Sequence, residues 1–288
     1  MTGKNLIPVT ILIILSLVLW MPGCGGSSKS SRSSSSNTGG GATGGGTGGG
    51  GTGGGTGGGG TGTGSGNGGG VNPPFGGLSG GAGAGRETSA TTPSGVDYNI
   101  VVPSSYSGAT PSEFLIVYSG VEGADTMASN LRSIGPQYLS GFICAVLDGP
   151  TYRGDGQAGA DVLDHVRERY NIDNDRTCLL GESAGTSGAA SLANLRQSYF
   201  AAYWANDITT EISGWRPAKT AAELGFAPWG NVGPGGQMTL AQEIVDAMAA
   251  AGYRLPPDAP YSGPGADSHG DLSQFYAALE FFPGKSRQ

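Results

Sequence analysis

Side chains that carry chemistry are scarce in this sequence. Of 288 residues, two are histidine and three are cysteine, and charged residues make up 13%. No C-x-x-C pair and no clustered histidines occur, so the usual metal-ligand spacings are missing and no metal or cofactor is expected. There is no G-x-x-x-x-G-K-[ST] loop to cradle phosphates. Basic residues are outnumbered by acidic ones, 15 to 22, for a net charge of −7. A nucleic-acid partner calls for a basic stripe and is therefore not expected.

Glycine is the opposite case. There are 57, most of them between Gly25 and Gly85 with serine and threonine as companions. Such a tract has almost nothing apolar to bury and loses much entropy on ordering, so residues 25–90 are expected to form an unfolded linker. About 70 such residues have a root-mean-square span of roughly 45–50 Å. The folded domain is then 91–288, long enough for a core of its own. It holds most of the negative charge.

Residues 1–24 are expected to be a targeting segment. Lys4 supplies a positive start, and the apolar run from Leu6 to Met21 is short for a bilayer-spanning helix. Met21-Pro22-Gly23-Cys24 resembles the lipobox of bacterial lipoproteins, which implies a lipidated Cys24, an exported domain and a membrane contact through that lipid; an ordinary cleaved signal peptide and an uncleaved anchor are the alternatives.

The most informative stretch is Gly181-Glu182-Ser183-Ala184-Gly185. An apolar run, Thr177 to Leu180, precedes it, and a small-residue helical segment, Thr186 to Leu195, follows. Strand, G-x-S-x-G and helix in that order describe a nucleophile elbow. In that geometry the flanking glycines permit a strained turn, Ser183 stands above the strand ends, and the Ala184 N–H points at a substrate oxyanion. Gly77-Leu78-Ser79-Gly80-Gly81 has the same spacing with no strand before it and no helix after it, and reads as chance.

The rest of the domain alternates strands and helices. Strands are expected at Tyr98–Pro103, Phe114–Tyr118, Phe142–Leu147 and Phe200–Ala205. Helices are expected near Met127–Ile134 and over Asp161–Tyr170, the latter with Val162, Leu163, Val166 and Tyr170 on one face. Thr239 and Gln242 suggest a capping box for a helix to Ala251 that stops at Gly252. Asp271 can cap a last helix whose Leu272, Tyr276, Leu279 and Phe282 face inward. The alternation predicts an α/β fold with a mostly parallel sheet and helices on both faces.

Three stretches resemble the α/β-hydrolase superfamily, and within it secreted esterases of the polyhydroxybutyrate-depolymerase and feruloyl-esterase kind. Tyr98–Pro103 followed by Phe114–Gly120 is similar to the strand pair leading to an oxyanion loop. Arg169–Arg176 running into the elbow is similar to the family's helix-to-elbow segment. Ser268-His269-Gly270 before an aromatic-rich helix resembles its catalytic-histidine loop. In that fold the strands carrying Cys144 and Cys178 flank the Phe114 strand, about 10 Å apart and beyond disulfide reach, so two free buried thiols are expected.

The resemblance implies a serine esterase in which Ser183 is the nucleophile and His269 the base, in the order Ser…acid…His. The family usually places the acid after the next strand, here Pro228–Gly235, which contains no carboxylate. Asp207, at the end of the preceding strand, is the first candidate. Glu211, Asp267 and Asp258 are others, and a Ser183–His269 dyad assisted by Asn231 is a further arrangement. Oxyanion donors are Ala184 N–H with Val121 N–H, or else Gly120. Glu122 is expected to be solvated, and His165, mid-helix, to play no part. Ester hydrolysis is the leading function. A peptidase or thioesterase on the same scaffold, or an inactive surface protein binding a carbohydrate or partner, are the rivals.

Overall fold

A computed structural model describes residues 73–209 and 216–288. Residues 1–24 with Cys24, and the linker to residue 72, lie outside the described residues, as does Glu211. In chain order the elements are β1 (Ser89–Thr91), β2 (Asp97–Val101), β3 (Ser112–Tyr118), α1 (Gly123–Tyr138), β4 (Ile143–Leu147), α2 (Gly156–Arg169) and β5 (Ile172–Glu182). They continue with α3 (Thr186–Leu195), β6 (Ala202–Asn206), a short α4 (Ala221–Leu224), β7 (Trp229–Val232), α5 (Met238–Ala250) and α6 (Leu272–Phe281).

One seven-stranded sheet runs β1-β2-β4-β3-β5-β6-β7. The first two strands pair antiparallel, and every pairing from β4 to β7 is parallel. The strands at the centre are apolar on both faces because helices cover both. The period of two sends Phe114, Ile116 and Tyr118 to one side, where α2, α3 and α5 pack, and Leu115 and Val117 to the other, under α1 and α6. The four expected apolar residues of α2 and its following turn are all buried. Cys144 and Cys178 both pair with Leu115, one from each side, and are free, buried thiols. Burial pushes the Cys144 thiol up to about 12.

The parallel register places the site. Tyr118 pairs with Leu147 and Gly181, Gly181 with Ala205, and Ala205 with Val232. The residues that follow these strands (Gly120, Asp148, Ser183, Asp207 and Gly233) therefore gather on one rim.

Three expectations need correction. The linker was expected to reach residue 90, but the chain is on the domain from Pro74 onward. Gly76 N–H donates to Asp175 Oδ2 (2.6 Å), and Ser79 N–H donates to Ile172 O (2.9 Å) at the start of β5. The Ser79 hydroxyl donates to Tyr170 O (2.7 Å) and accepts from Ile172 N–H (2.8 Å), so the second G-x-S-x-G is a strap whose serine is fully engaged. A Cβ at Gly81 would run into the Tyr170 backbone, which explains glycine there. Hydrogen bonds to the α2–β5 turn and to the Asp175 carboxylate, with the Phe75 ring against Phe226 (5.8 Å), hold this segment, and composition does not reveal them.

The α5 cap is also different. Gln237 is the N-cap without a side-chain bond, Thr239 is inside the helix, and Gln242 bonds to Asp246. On α6, Asp271 caps through the Ser273 amide (2.8 Å), but Leu272 is exposed. The inward face is Gln274, Phe275, Ala278, Leu279 and Phe281, with Tyr276 half-buried and Phe282 just beyond the helix end.

Candidate active site

β5 delivers Ser183. After eleven strand residues the chain turns through Ser183–Gly185 and enters α3 directly. Ser183 has φ 45°, a left-handed conformation that a non-glycine residue holds only when its surroundings impose it. The glycines serve close approach instead of strain. A Cβ at Gly181 would lie 2.7 Å from the Ala189 Cβ, and one at Gly185 would lie 2.5 Å from the carbonyl oxygens of Tyr118 and Ser119. The strain sits on the serine itself. The Thr186 hydroxyl donates to Ser183 O (2.6 Å) and ties the turn to the helix.

His269 comes from the loop before α6. Its Nε2 lies 2.9 Å from Ser183 Oγ, within the reach a general base needs. Eighty-six residues of chain separate the two, and the α6 cap at Asp271, with Gly270 at φ 79°, sets the loop that joins them.

Asp207 follows β6, buried, at φ 51°. Its Oδ2 accepts from Gly270 N–H (2.5 Å) and its Oδ1 from Gln274 Nε2 (2.6 Å). The carboxylate thus grips the histidine's loop and acts on the imidazole through charge; its hydrogen bonds go to the neighbours. Burial raises its pKa, while the Gly270 amide and the His269 charge pull the other way. The missing carboxylate after β7 now has a physical reason. A side chain at Gly233 would collide with Asn206 and Gln274, and one at Gly235 would sit 2.8 Å from Asp207 Oδ1. Asp207 fills that space from the strand next door.

A second buried acid stands behind it. Glu182 Oε2 accepts from Asn206 Nδ2 (2.9 Å), and Asn206 Oδ1 accepts from Trp204 Nε1 (3.0 Å). Burial first, and then the like charge of Asp207, push the Glu182 carboxyl well above its usual range. Burial raises both carboxyls of the pair, Glu182 the further. Glu182 and Gln274 were not foreseen. The signal for each was a polar residue in an element otherwise buried on that side, where a lone charge or amide needs a partner.

The other candidates separate from the site. Asn231 Oδ1 accepts from the Val232 amide (2.8 Å). Asp258 and Asp267 are exposed. His165 Nδ1 pairs with the Tyr98 hydroxyl (3.1 Å) on α2. Ala184 is buried in the elbow turn, and the side chain of Val121 is exposed. Glu122 departs from expectation. Although the residue is exposed overall, its Oε1 accepts from Gly120 N–H (2.9 Å), and its carboxyl group lies over Gly120 beside Ser183. Burial of the carboxyl, with repulsion from Asp148 and Asp207, raises its pKa.

No protein-family model matches the sequence, and no curated protein matches it. Among solved structures the chain is similar to a thermostable esterase, at 17% identity and TM-score 0.51, over 69% of this chain and 62% of that one. The chain has the α/β-hydrolase fold. It spans about three fifths of that esterase's length. It is also similar to S-formylglutathione hydrolase of Staphylococcus aureus (15% identity, TM-score 0.48, 73% of this chain and 97% of that one). A feruloyl esterase module of Clostridium thermocellum is a third (13%, 0.47, 68% and 87%). In the α/β-hydrolase fold the rim formed by the ends of β3, β5 and β6 is where Ser183, Asp207 and Glu122 stand, with His269 brought over it.

Proposed function

We propose that this chain is a serine hydrolase of carboxylic esters. The observation that carries the reading is Ser183 Oγ at 2.9 Å from His269 Nε2, on a residue held at φ 45° at the end of β5. A serine hydroxyl becomes a nucleophile when a base takes its proton. With its own proton on Nδ1, His269 accepts the Ser183 proton at Nε2 as Oγ attacks the ester carbonyl. The imidazolium then returns the proton to the leaving alcohol. Asp207 stabilises the imidazolium by charge and holds the loop through the Gly270 amide. The Ala184 amide, with Gly120 or Val121, receives the oxyanion. A water then attacks the acyl-serine, with His269 as base again.

Ser183→Ala should lower turnover of short p-nitrophenyl esters by on the order of 10⁶ if serine and histidine act as a unit. Undiminished hydrolysis refutes the assignment. Labelling by a fluorophosphonate separates the rivals. Labelled protein without ester turnover points to a peptidase or thioesterase, and a folded protein that never labels points to a binding role.

A further inference from the structure

We propose that Glu122 is a specificity-determining residue of this site: its carboxylate occupies the Gly120 amide that an ester's carbonyl oxygen would use, so turnover requires it to withdraw. The inference rests on the serine-hydrolase reading and deepens it. Gly120 N–H donates to Glu122 Oε1 at 2.9 Å. A Cβ at Gly120 would collide with Glu122 Oε2 and stand 3.3 Å from Ser183 Cβ, so nucleophile, amide and carboxylate crowd one point. The turn from Gly120 to Gly123, closed by Gly123 N–H to Gly120 O (3.2 Å), places Glu122 there as the residue that opens α1. An oxyanion and a carboxylate present the same chemistry to an amide, negative oxygen toward N–H. The site thus contains its own competitor.

The charges around this carboxylate are of its own sign. Asp148 after β4 and Asp207 after β6 both repel it. Asp97 of β2 and Asp125 of α1 line the same cavity of about 800 Å³, with Tyr98 and Tyr152. The one imidazole at the site is His269, 2.9 Å from Ser183 Oγ. Backbone amides are what hold Glu122 in place. Two consequences follow. The ionised carboxylate competes for Gly120 N–H and the protonated acid competes less, so the restraint grows as pH rises through the Glu122 pKa, which lies above the ordinary 4.5. An acyl group with its own negative charge near the carbonyl meets this carboxylate and reacts more slowly than a neutral one.

The test compares wild type, Glu122→Gln and Glu122→Ala across a pH series, with Ser183→Ala as the unlabelled control. The readouts are the rate of fluorophosphonate labelling and kcat/KM for a neutral and a carboxylate-bearing p-nitrophenyl ester. Removing a charge-assisted acceptor should speed labelling of Glu122→Ala by about five- to tenfold at the alkaline end, with Glu122→Gln in between. The ratio should shrink toward one at the acid end, and the preference for the neutral ester should narrow in both variants. Equal labelling rates at every pH, or slower labelling in both variants, overturn this inference alone. No labelling in wild type or either variant overturns the hydrolase reading, and this inference with it.

Discussion

Arg287→Ala should destabilise the domain by about 3–5 kcal/mol, the usual cost of removing one partner from a buried ion pair. The guanidinium side chain is 1% exposed. Its Nε and Nη2 donate to Asp175 Oδ1 at 3.1 and 2.8 Å, Nη1 donates to Ser198 O at 2.9 Å, and Nη2 also reaches Pro74 O at 3.3 Å. The rings of Phe75 and Phe226 sit 4.7 and 5.7 Å from its centre. Alanine strands the Ser198 carbonyl and part of a buried carboxylate, while Pro74 O keeps Asn174 Nδ2 at 3.3 Å. Asp175 keeps the Gly76 amide (2.6 Å) and Gln288 Nε2 (2.5 Å), which places the loss nearer the lower end of the range. For a domain of this size each kcal/mol moves Tm by about 2–4 °C, so a fall of at least ~6 °C is expected. Urea unfolding of the full chain measures the free energy, and calorimetry the temperature. Arg287→Lys, which keeps the charge without the planar fork, should lose less. A change below about 1 kcal/mol with an unaltered urea slope would mean the pair is balanced by its own desolvation, and would refute the reasoning.

Gly185→Ala should cost about 10²-fold in ester turnover while the protein stays folded, because the new Cβ meets the Tyr118 and Ser119 carbonyl oxygens at 2.5 Å and must displace the elbow; full activity with an unchanged circular dichroism spectrum counts against it. Glu182→Gln should stabilise the protein at neutral pH. A carboxyl whose pKa is raised by folding contributes stability below its unfolded value, near 4.5, and loses it as pH climbs through the folded value. The glutamine gain should therefore vanish in acid and grow with pH; a gain independent of pH, measured by urea midpoints, contradicts the burial argument.

How much of this was legible in the sequence depended on the kind of interaction. The strands at Phe114 and Ile143 were visible because a run buried on both faces must be apolar throughout. The Ser183 turn was visible because two close approaches demand glycine on either side of the serine at fixed spacing. The His269 loop was placed by resemblance, and its contact with Ser183 needed the fold. What escaped were polar contacts made across the chain. Glu182 is the unconstrained letter of its motif, yet it faces Asp207 and Asn206 from another strand. Glu122 read as solvated because nothing local says that its carboxyl folds back onto Gly120. The strap at 74–79 was hidden by a composition shared with the linker.

The two ends of β5 divide the labour of the domain. Asp175, with the strap and Arg287 around it, lies about 25 Å along the strand from Ser183. Tension entering at residue 73 meets the guanidinium fork and the Gly76 amide first. A domain pulled from that side would slip this latch before the turn at Ser183 felt the load.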